Sequence, residues 1–363
     1  MNRRAFLSQA SFSAVAAGAV WASAPAVQTH PTYAWKMVTT WPKDFPGYGT
    51  GANRLAQTIT AMSNQRLTVT VYAAGELVPA FEAFDAVASG TAEMGHGVPY
   101  YWKAKHVATQ FFAGVPFGLN AQESMAWLQY GGGQALWDAL YAPFNLQPFA
   151  VGNTGVQMGG WFNKEITTVA DFMGLRMRIP GLGGEALATL GAHTVTLPGA
   201  ETVPALQAGR LDAAEWMGPY NDLPLGFHTV AKYYYWPGWH EPSSTAECFV
   251  NKRAYEALPT DLRAIIAHAA QDAYTTMLNE YTARNGSALV ELLTRHKVQL
   301  CRFPDKVLKQ LGEASKQVIA QVAAHDPFAH KVYAAYTAFR EQAIGWAQIG
   351  EEGYSLARTL AFA

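Results

Sequence analysis

The sequence predicts an α/β protein with two lobes, each built on a mostly parallel mixed sheet flanked by helices. Three observations support this fold class. Half of the 363 residues are apolar, so the chain can bury a large core and is long enough for more than one compact unit. Strand and helix patterns alternate with short connections, which favours right-handed crossovers between parallel strands. The same succession of elements also occurs twice.

The first run of elements begins with a strand over 33–41 and a helix over 52–64. A strand over 66–75, a helix that ends at Gly90 and a short strand over 92–97 follow. The helices are assigned from apolar residues spaced three and four apart, and the strands from short apolar runs bounded by turn-forming residues. This strand-helix-strand order predicts the sheet of the first lobe.

The second run repeats this order, with strands and helices alternating over 174–181, 183–191, 193–199, 201–209 and 210–216. Two segments align without a gap, DAVASGTAEM from residue 85 and PALQAGRLDA from residue 204. Each ends a helix at a glycine, Gly90 or Gly209, and then places an acidic residue, Glu93 or Asp212, in a strand. Glycine suits the left-handed residue that ends many helices. The repeat predicts two lobes on one plan, with their strands ending at a shared cleft.

The C-terminal part is predicted to contain a strand and a short helix from residue 245, a long helix from 261 to about 295, a strand over 297–303 and two helical blocks. The last block carries an apolar stripe that packs on its own lobe or on a second subunit: Val332, Tyr333, Tyr336, Phe339, Ile344 and Trp346. The predicted division is lobe I at 27–153 plus about 246–285, lobe II at 154–245 plus about 286–330, and a C-terminal helix at 331–363.

Residues 1–26 are predicted to be an export signal. Arg3 and Arg4 precede a short, weakly apolar stretch of small residues, which resembles the twin-arginine type. No later segment is long and apolar enough to cross a bilayer. The formal net charge is -1 and the basic residues are scattered, so the sequence shows no footprint for nucleic acid or an anionic membrane surface. These features predict a soluble protein outside the cytoplasm.

No catalytic set is recognisable. The ten histidines include no HExxH motif, and only His96 and His240 fall in predicted cleft loops. No G-x-S-x-G elbow or phosphate-binding glycine loop is present. Cys248 and Cys301 lie in apolar contexts that suit either a disulfide bond or two buried thiols. The sequence therefore predicts a binding protein and no enzymatic activity.

A carboxylate-binding set does emerge. Arg178 ends a predicted strand just before Pro180, where its guanidinium can grip a carboxylate bidentately or can be an ordinary surface arginine. Gln157, Glu215 and Glu241 are oxygen donors near the ends of apolar segments, and each alone also suits a capping or solvated position. Together they match the oxygen ligands that Ca²⁺ or Na⁺ prefers.

The mature chain resembles, over essentially its whole length, the extracytoplasmic solute-binding proteins of TRAP transporters. The resemblance is closest to the subgroup that binds small 2-oxo and 2-hydroxy monocarboxylates with a metal ion. It is carried by WPKDFPGYGTGANRLA, VYAAGELVPAFEAFDAVASGTAEMGHG, YYWKAK, GNTGVQMGGWFNKEI, GLRMRIPGLGGEAL, LPGAETVPALQAGRLDAAEWMGPYND and KYYYWPGWHEP. It implies the two-lobed periplasmic binding protein fold, similar to type II, with a hinge and a long C-terminal helix.

The resemblance also implies roles for single residues. Arg178 would form the salt bridge to the substrate carboxylate. The implied metal ligands are Gln157, Glu215, the main-chain carbonyl of Trp216, and Glu241, and the other implied substrate contacts are Tyr101, Asn153, Gln157 and the ring of Trp216. The ion would be Ca²⁺ or Na⁺, because oxygen ligands serve both. Members of the subgroup often form dimers that exchange a C-terminal helix, so a homodimer is implied as well.

The sequence thus predicts a periplasmic protein that captures a pyruvate-like or lactate-like acid and delivers it to TRAP membrane subunits. Two alternatives stay open. One is a binding protein of the same fold for another organic acid, such as a dicarboxylate or a sugar acid. The other is a metal-dependent enzyme that acts on keto acids with Glu215 as the base.

Overall fold

The computed structural model describes residues 31–362. The predicted export signal, residues 1–26, lies outside the described residues, as do 27–30 and 363. No helix in the described part of the chain combines the length and the apolar character needed to cross a membrane.

The strands form two sheets, one of five strands in the order β2-β1-β3-β10-β4 and one of six in the order β11-β9-β5-β8-β6-β7. Their bounds are β1 Tyr33–Thr39, β2 Leu67–Tyr72, β3 Met94–Gly97, β4 Leu146–Asn153, β5 Gly160–Phe162, β6 Arg176–Arg178, β7 His193–Val195, β8 Ala213–Ala214, β9 Tyr233–Trp236, β10 Thr245–Asn251 and β11 Gln299–Arg302.

Helices cover both sheets. Their bounds are α1 Tyr48–Met62, α2 Ala83–Ala88, α3 Ala121–Tyr130, α4 Gly133–Tyr141, α5 Gly181–Thr189, α6 Gly199–Gln207, α7 Pro219–Leu225, α8 Lys252–Glu256, α9 Thr260–Thr294, α10 Asp305–Ala323, α11 Pro327–Ile349 and α12 Glu351–Phe362. The predicted fold class, two mixed sheets flanked by helices, is confirmed.

Each sheet contains one strand that runs against the others. In the first sheet β10 pairs antiparallel with β3 and β4, and in the second sheet β5 pairs antiparallel with β8 and β9. The remaining pairings are parallel. Both antiparallel strands follow a passage of the chain from one sheet to the other. We call residues 154–159, between β4 and β5, the first crossing, and residues 237–244, between β9 and β10, the second crossing.

The predicted repeat is present in both sheets. Gly90 and Gly209 follow α2 and α6 with φ angles of 84° and 65°, the left-handed conformation that glycine adopts without strain. Glu93 accepts a hydrogen bond from a backbone N–H of β1 at 2.8 Å, and Asp212 accepts one from β6 at 3.0 Å. The two acidic residues of the repeat therefore have the same structural role, since each accepts a hydrogen bond from a backbone N–H of the neighbouring parallel strand.

The long helix α9 lies close to its predicted bounds and packs against β4, α1 and α7. Two glycines permit this close approach. A Cβ atom at Gly152 would lie 2.1 Å from the sulfur of Met277, and one at Gly51 would lie 2.6 Å from its methyl group. The helix also joins the β4 side of the first sheet to α7, since the Tyr220 hydroxyl donates to Glu280 at 2.8 Å.

The C-terminal block is two helices, α11 and α12, separated at Gly350. The first half of the predicted apolar stripe packs on its own chain, with Val332 0% and Tyr336 4% exposed. The Tyr336 hydroxyl oxygen accepts a hydrogen bond from the backbone of Leu119 at 2.9 Å. Trp346, by contrast, is 69% exposed. The stripe is therefore divided between an intramolecular contact and an exposed apolar end.

The two cysteines are free thiols in different sheets. Cys248 is buried in β10, whereas Cys301 is partly exposed in β11. Of the two alternatives that the sequence left open, the disulfide bond is thereby excluded.

Candidate ligand-binding and metal site

The predicted site residues lie where strands end or where the chain crosses between the sheets. Parallel strands end at a common edge, so short segments after them converge. The positions are Tyr101 in the turn after β3, Asn153 at the end of β4, Gln157 on the first crossing, Arg178 at the end of β6, Glu215 and Trp216 just after β8, and Glu241 on the second crossing.

Arg178 is 1% exposed, and its guanidinium donates four hydrogen bonds to other residues of the chain. Its Nη1 donates to the main-chain carbonyl of Glu215 at 3.1 Å and also to the carboxylate oxygen Oε1 of that residue. Its Nε donates to the carbonyl of Leu197 at 3.2 Å, and Nη2 donates to the Tyr101 hydroxyl at 3.4 Å. A guanidinium stays charged in proteins, so Arg178 places a permanent positive charge away from water.

Glu215 joins Arg178 to a histidine. Glu215 is 0% exposed, and its second oxygen, Oε2, lies 3.0 Å from Nε2 of His240. Its backbone N–H donates to the Arg178 carbonyl at 3.0 Å, which aligns the two strand ends. One buried carboxylate therefore meets a guanidinium on one side and an imidazole on the other.

Glu241 and Gln157 bring the two crossings together. Gln157 Nε2 donates to Glu241 at 2.8 Å and to Thr154 at 3.2 Å, while its Oε1 is buried without a partner among the described residues. Burial raises the pKa of Glu241 to about 7, and repulsion from Glu215 adds to the effect. Two carboxylates and an unsatisfied amide oxygen thus share one region closed to water.

Trp216 and Tyr101 form walls around the guanidinium. The Arg178 guanidinium carbon lies 4.7 Å from the centre of the Trp216 ring, a cation-π contact. The Trp216 ring covers Gly199, where a Cβ atom would lie 2.3 Å from the ring. Burial raises the pKa of Tyr101 to about 12, so its hydroxyl keeps its proton at neutral pH and can donate to an anion. The site combines a fixed cation, an aromatic wall and a neutral donor.

The segment after β8 is held by a second layer of hydrogen bonds. Met217 donates from its backbone N–H to Asp222 at 3.2 Å and accepts at its carbonyl from Met158 at 2.8 Å. Asp222 also accepts hydrogen bonds from Trp161 at 2.9 Å and from Tyr234 at 2.7 Å. These contacts fix the turn that presents Glu215 and Trp216, so the orientation of both side chains is set by the fold.

Asn153 lies apart from this cluster in its hydrogen bonding. Its side chain donates to Thr245 at 3.3 Å and accepts from the backbone of Gly155 at 2.9 Å. Both contacts brace the start of the first crossing. The structure therefore brings together the other predicted residues, whereas Asn153 contacts the first crossing and β10.

The two histidines singled out in the sequence have different outcomes. His96 lies within β3, so its expected place in a loop is wrong. Its Nδ1 accepts a hydrogen bond from Trp41 at 2.8 Å, and burial lowers its pKa to about 3. His240 does lie on the second crossing and joins the cluster. Sequence reasoning did not name His240 as a site residue, although its position beside Glu241 in WHEP was a signal.

The donor set fits a cation. Ligand atoms of Glu215, His240 and Glu241 all lie within 4.8 Å of one another, and the residues are 0%, 1% and 3% exposed. The unsatisfied oxygen of Gln157 offers a further ligand, and no hydrogen bond found within residues 31–362 ends on the Trp216 carbonyl. The oxygen atoms of Glu215, Glu241 and Gln157 are hard donors, which suit Ca²⁺ or Na⁺. A bound cation would neutralise the buried carboxylates and polarise an oxygen of a chelating ligand.

Comparisons with known proteins assign the chain to a family. Residues 37–326 match the family model DctP, described as bacterial extracellular solute-binding protein, family 7. The chain is 44% identical over 324 residues to the monocarboxylate 2-oxoacid-binding periplasmic protein of Nostoc sp., covering 89% of this chain and 88% of that one.

Two solved structures are similar over nearly the whole described chain. A TRAP transporter solute-binding protein from Bordetella bronchiseptica, a dimer with copurified calcium and picolinate, has a TM-score of 0.89 at 37% identity, covering 92% of this chain and 98% of that one. A TRAP periplasmic solute-binding protein from Pseudoalteromonas atlantica, with bound sodium and pyruvate, has a TM-score of 0.87 at 40% identity, covering 89% and 98%. The chain belongs to the DctP family of bacterial extracellular solute-binding proteins, family 7.

Proposed function

We propose that this protein captures a 2-oxo or 2-hydroxy monocarboxylate in the periplasm, together with Ca²⁺ or Na⁺, and delivers it to the membrane subunits of a TRAP transporter. Arg178 binds the ligand carboxylate. Glu215, Glu241, Gln157 and the Trp216 carbonyl hold the cation. The ligand chelates this cation through a carboxylate oxygen and the neighbouring 2-oxo or 2-hydroxy oxygen. Tyr101 donates to the ligand, and the Trp216 ring excludes water.

One observation carries the proposal: Arg178 lies in a buried cluster with two carboxylates and an unsatisfied amide oxygen. When both glutamates are ionised, the negative charges outnumber the guanidinium. A monocarboxylate entering alone would add another charge that water cannot solvate, which is costly. A cation offsets that charge, and the Bordetella and Pseudoalteromonas structures contain calcium with picolinate and sodium with pyruvate, respectively.

Isothermal titration calorimetry of pyruvate tests the proposal. We expect binding to the wild-type protein with Ca²⁺ or Na⁺ present, and loss of measurable binding in Arg178→Ala, because hydrogen bonds to the charged carboxylate disappear. The matched control is Arg176→Ala, which removes an exposed arginine of the same strand that pairs with Asp212 at 2.6 Å. Near-native affinity in Arg178→Ala would contradict the proposal, as would equal losses in both variants.

The cation and the alternatives are separated by two further measurements. Removing divalent ions with a chelator weakens binding strongly if the ion is Ca²⁺, whereas dependence on sodium alone identifies Na⁺. Mass spectrometry of denatured purified protein distinguishes a monocarboxylate from a dicarboxylate or a sugar acid. The enzyme alternative predicts product formation from pyruvate, whereas binding alone returns the acid unchanged.

A homodimer through the C-terminal helices is a second proposal. α12 and the end of α11 expose apolar side chains: Trp346 69%, Ile349 77%, Tyr354 65%, Leu356 62%, Leu360 72% and Phe362 87%. Exposed apolar surface of this kind favours association, and the Bordetella relative is a dimer. Analytical ultracentrifugation should give a dimer for the wild-type protein and a monomer for a chain that ends at residue 350. A monomeric wild-type protein would contradict this proposal.

Export by the twin-arginine route is supported by Arg3 and Arg4 in the sequence. Replacing both arginines with lysine should abolish export of the folded protein and leave the protein in the cytoplasmic fraction. Unchanged periplasmic accumulation would favour a different export route.

A further inference from the structure

The N–H donors of Arg178 are unevenly engaged. Nε donates to the carbonyl of Leu197, and Nη1 donates twice to Glu215, once to its carbonyl at 3.1 Å and once to its Oε1. The hydrogen bond of Nη2 found within residues 31–362 goes to the Tyr101 hydroxyl, at the long distance of 3.4 Å. Nη2 is therefore the nitrogen with donor capacity left for a ligand.

A bidentate grip on a carboxylate needs two neighbouring nitrogens of the guanidinium to donate in parallel. Nη2 can supply one N–H, so either Nε or Nη1 must give up an acceptor. The acceptor of Nε is a main-chain carbonyl at the start of α6, which the backbone holds in place. The Oε1 atom of Glu215 belongs to a side chain that can rotate. The hydrogen bond from Nη1 to the Glu215 carboxylate is therefore the one that must break before the ligand carboxylate can bind.

Glu215 is also one of the groups placed to hold the cation. Its Oε2 is already oriented toward His240, away from the guanidinium, at 3.0 Å. Both other ligand-bearing groups of the cluster, His240 and Glu241, lie on the second crossing. A cation held there attracts the Glu215 carboxylate toward the second crossing and so away from Nη1.

We propose that Glu215 masks Arg178, and that a cation which takes over the Glu215 carboxylate frees the guanidinium for the ligand carboxylate. The inference rests on the proposed function and goes beyond it, because it makes Glu215 the residue that couples the two binding events. Coupling is reciprocal, so the cation raises the affinity for the acid by the same factor as the acid raises the affinity for the cation.

Masking and simple chelation predict different effects for Glu215→Gln. If Glu215 only ligates the cation, the variant should bind pyruvate no better than the wild-type protein under any condition. If Glu215 masks Arg178, the variant should bind pyruvate at least about tenfold tighter than the wild-type protein when no cation is present, since a neutral amide competes weakly for the guanidinium. Added Ca²⁺ should then change its affinity little.

The experiment is calorimetry of pyruvate in a sodium-free buffer with a chelator and again with Ca²⁺. The matched control is Glu241→Gln, which replaces another buried carboxyl group of the cluster, one that accepts a hydrogen bond from Gln157 and none from Arg178. We expect Glu241→Gln to lose the response to Ca²⁺ without a comparable gain in cation-free binding. An equal gain in both variants means a general charge effect, and no gain in Glu215→Gln means no masking. Either result overturns the inference.

A reciprocal test uses Ca²⁺ alone, without the organic acid. It also does not depend on whether the Glu215→Gln variant folds. In Arg178→Gln, the Glu215 carboxylate has no guanidinium to compete with the ion, so Ca²⁺ alone should bind at least about tenfold tighter than to the wild-type protein. Arg176→Gln serves as the control and should match the wild-type protein. Unchanged or weaker Ca²⁺ affinity in Arg178→Gln would refute masking. If the wild-type protein binds no 2-oxo or 2-hydroxy acid with any cation, the proposed function fails instead.

Discussion

Glu247 is a buried acid outside the binding cluster, and its replacement by glutamine should change how stability depends on pH. It lies in β10, is 0% exposed, and accepts hydrogen bonds from Trp102 Nε1 at 2.6 Å and from the Tyr141 hydroxyl at 2.9 Å. Burial raises its pKa from 4.5 to about 8, and these two hydrogen bonds offset only part of the rise. The folded protein therefore keeps a proton on Glu247 at neutral pH.

The sign and size of the pH dependence of stability follow from this pKa shift. Below pH 4.5 both the folded and the unfolded chain hold the proton, and the stability associated with it is fully present. Between pH 4.5 and about 8 only the folded chain holds it, so the free energy of unfolding falls by about 1.4 kcal/mol per pH unit. The total over this window is about 5 kcal/mol. Above it, both states are ionised and the dependence ends.

Glu247→Gln keeps the shape and removes the titration. The amide can accept from Trp102 and donate to the Tyr141 oxygen, so both contacts survive. Guanidinium unfolding in a chelating, ligand-free buffer, followed by tryptophan fluorescence, should show the variant gaining stability over the wild-type protein by about 1.4 kcal/mol for each pH unit from about pH 5 to 7.5. Glu313→Gln, at an exposed position on α10, is the control. A difference that is constant across this range would refute the protonation of Glu247.

Three other predictions concern packing and chemistry elsewhere. Gly199→Ala should weaken pyruvate binding in calorimetry by at least about tenfold, because its Cβ atom would lie 2.3 Å from the Trp216 ring and would displace it. Tyr336→Phe should lower the free energy of unfolding by about 1–3 kcal/mol, because the buried N–H of Leu119 loses its acceptor. Titration with a thiol reagent should modify Cys301 first in the native protein and both cysteines after unfolding.

Each of these predictions has its own control. Gly345→Ala introduces a Cβ atom with nothing within 4 Å and should leave binding unchanged. An equal loss in both glycine variants would point to a general effect on the fold. Tyr333→Phe, one turn earlier on α11, tests whether loss of any tyrosine hydroxyl from this helix has the same cost. If the native protein has no reactive thiol and shows two only after reduction, Cys248 and Cys301 form a disulfide bond, which would contradict the prediction.

Much of the fold could be predicted because its signals are local. The long helix α9 and the repeated glycine-acid pattern follow from apolar spacing and from residues within one segment. The sequence predicts that α1 begins at residue 52, because Gly49 and Gly51 resemble turn residues. In the structure the helix begins at Tyr48. Gly51 is a glycine for another reason, since Met277 of α9 packs directly against it. A packing requirement of this kind cannot be read from the segment itself.

Other elements escaped prediction because partners distant in sequence define them. β5 has only three residues, too few to show alternation, and exists through its pairing across the second sheet. The strand predicted over 210–216 is present, but only as the two residues of β8. α3, α4 and β4 were not assigned, since aromatic residues and Gly or Pro breaks obscure their periodicity. β10 was recognised as a strand, but its antiparallel direction depends on the return of the chain from the second sheet.

The candidate site shows the same division. Arg178, Glu215, Gln157 and Glu241 could be named from their residue types, their positions near strand ends and the family resemblance. Their pairing could not, because Arg178 and Glu215 are separated by 37 positions. His240 and Glu215, likewise, are separated by 25 positions. The Arg178–Glu215 contact therefore depends on β6 and β8 ending side by side, and the His240–Glu215 contact depends on the second crossing passing the end of β8.

Because the chain crosses twice between the two sheets, the order of synthesis limits the order in which the first sheet can form. β4 pairs in the first sheet with β10 alone, and β10 ends at Asn251. Until the ribosome has released that residue, β4 has no partner strand, although the chain has by then supplied most of the second sheet. The N-terminal half is consequently an incomplete folding unit with an open strand edge, the kind of edge that recruits other chains. A fragment that stops at the first crossing should aggregate, and a nascent chain of this length is a natural client for chaperones.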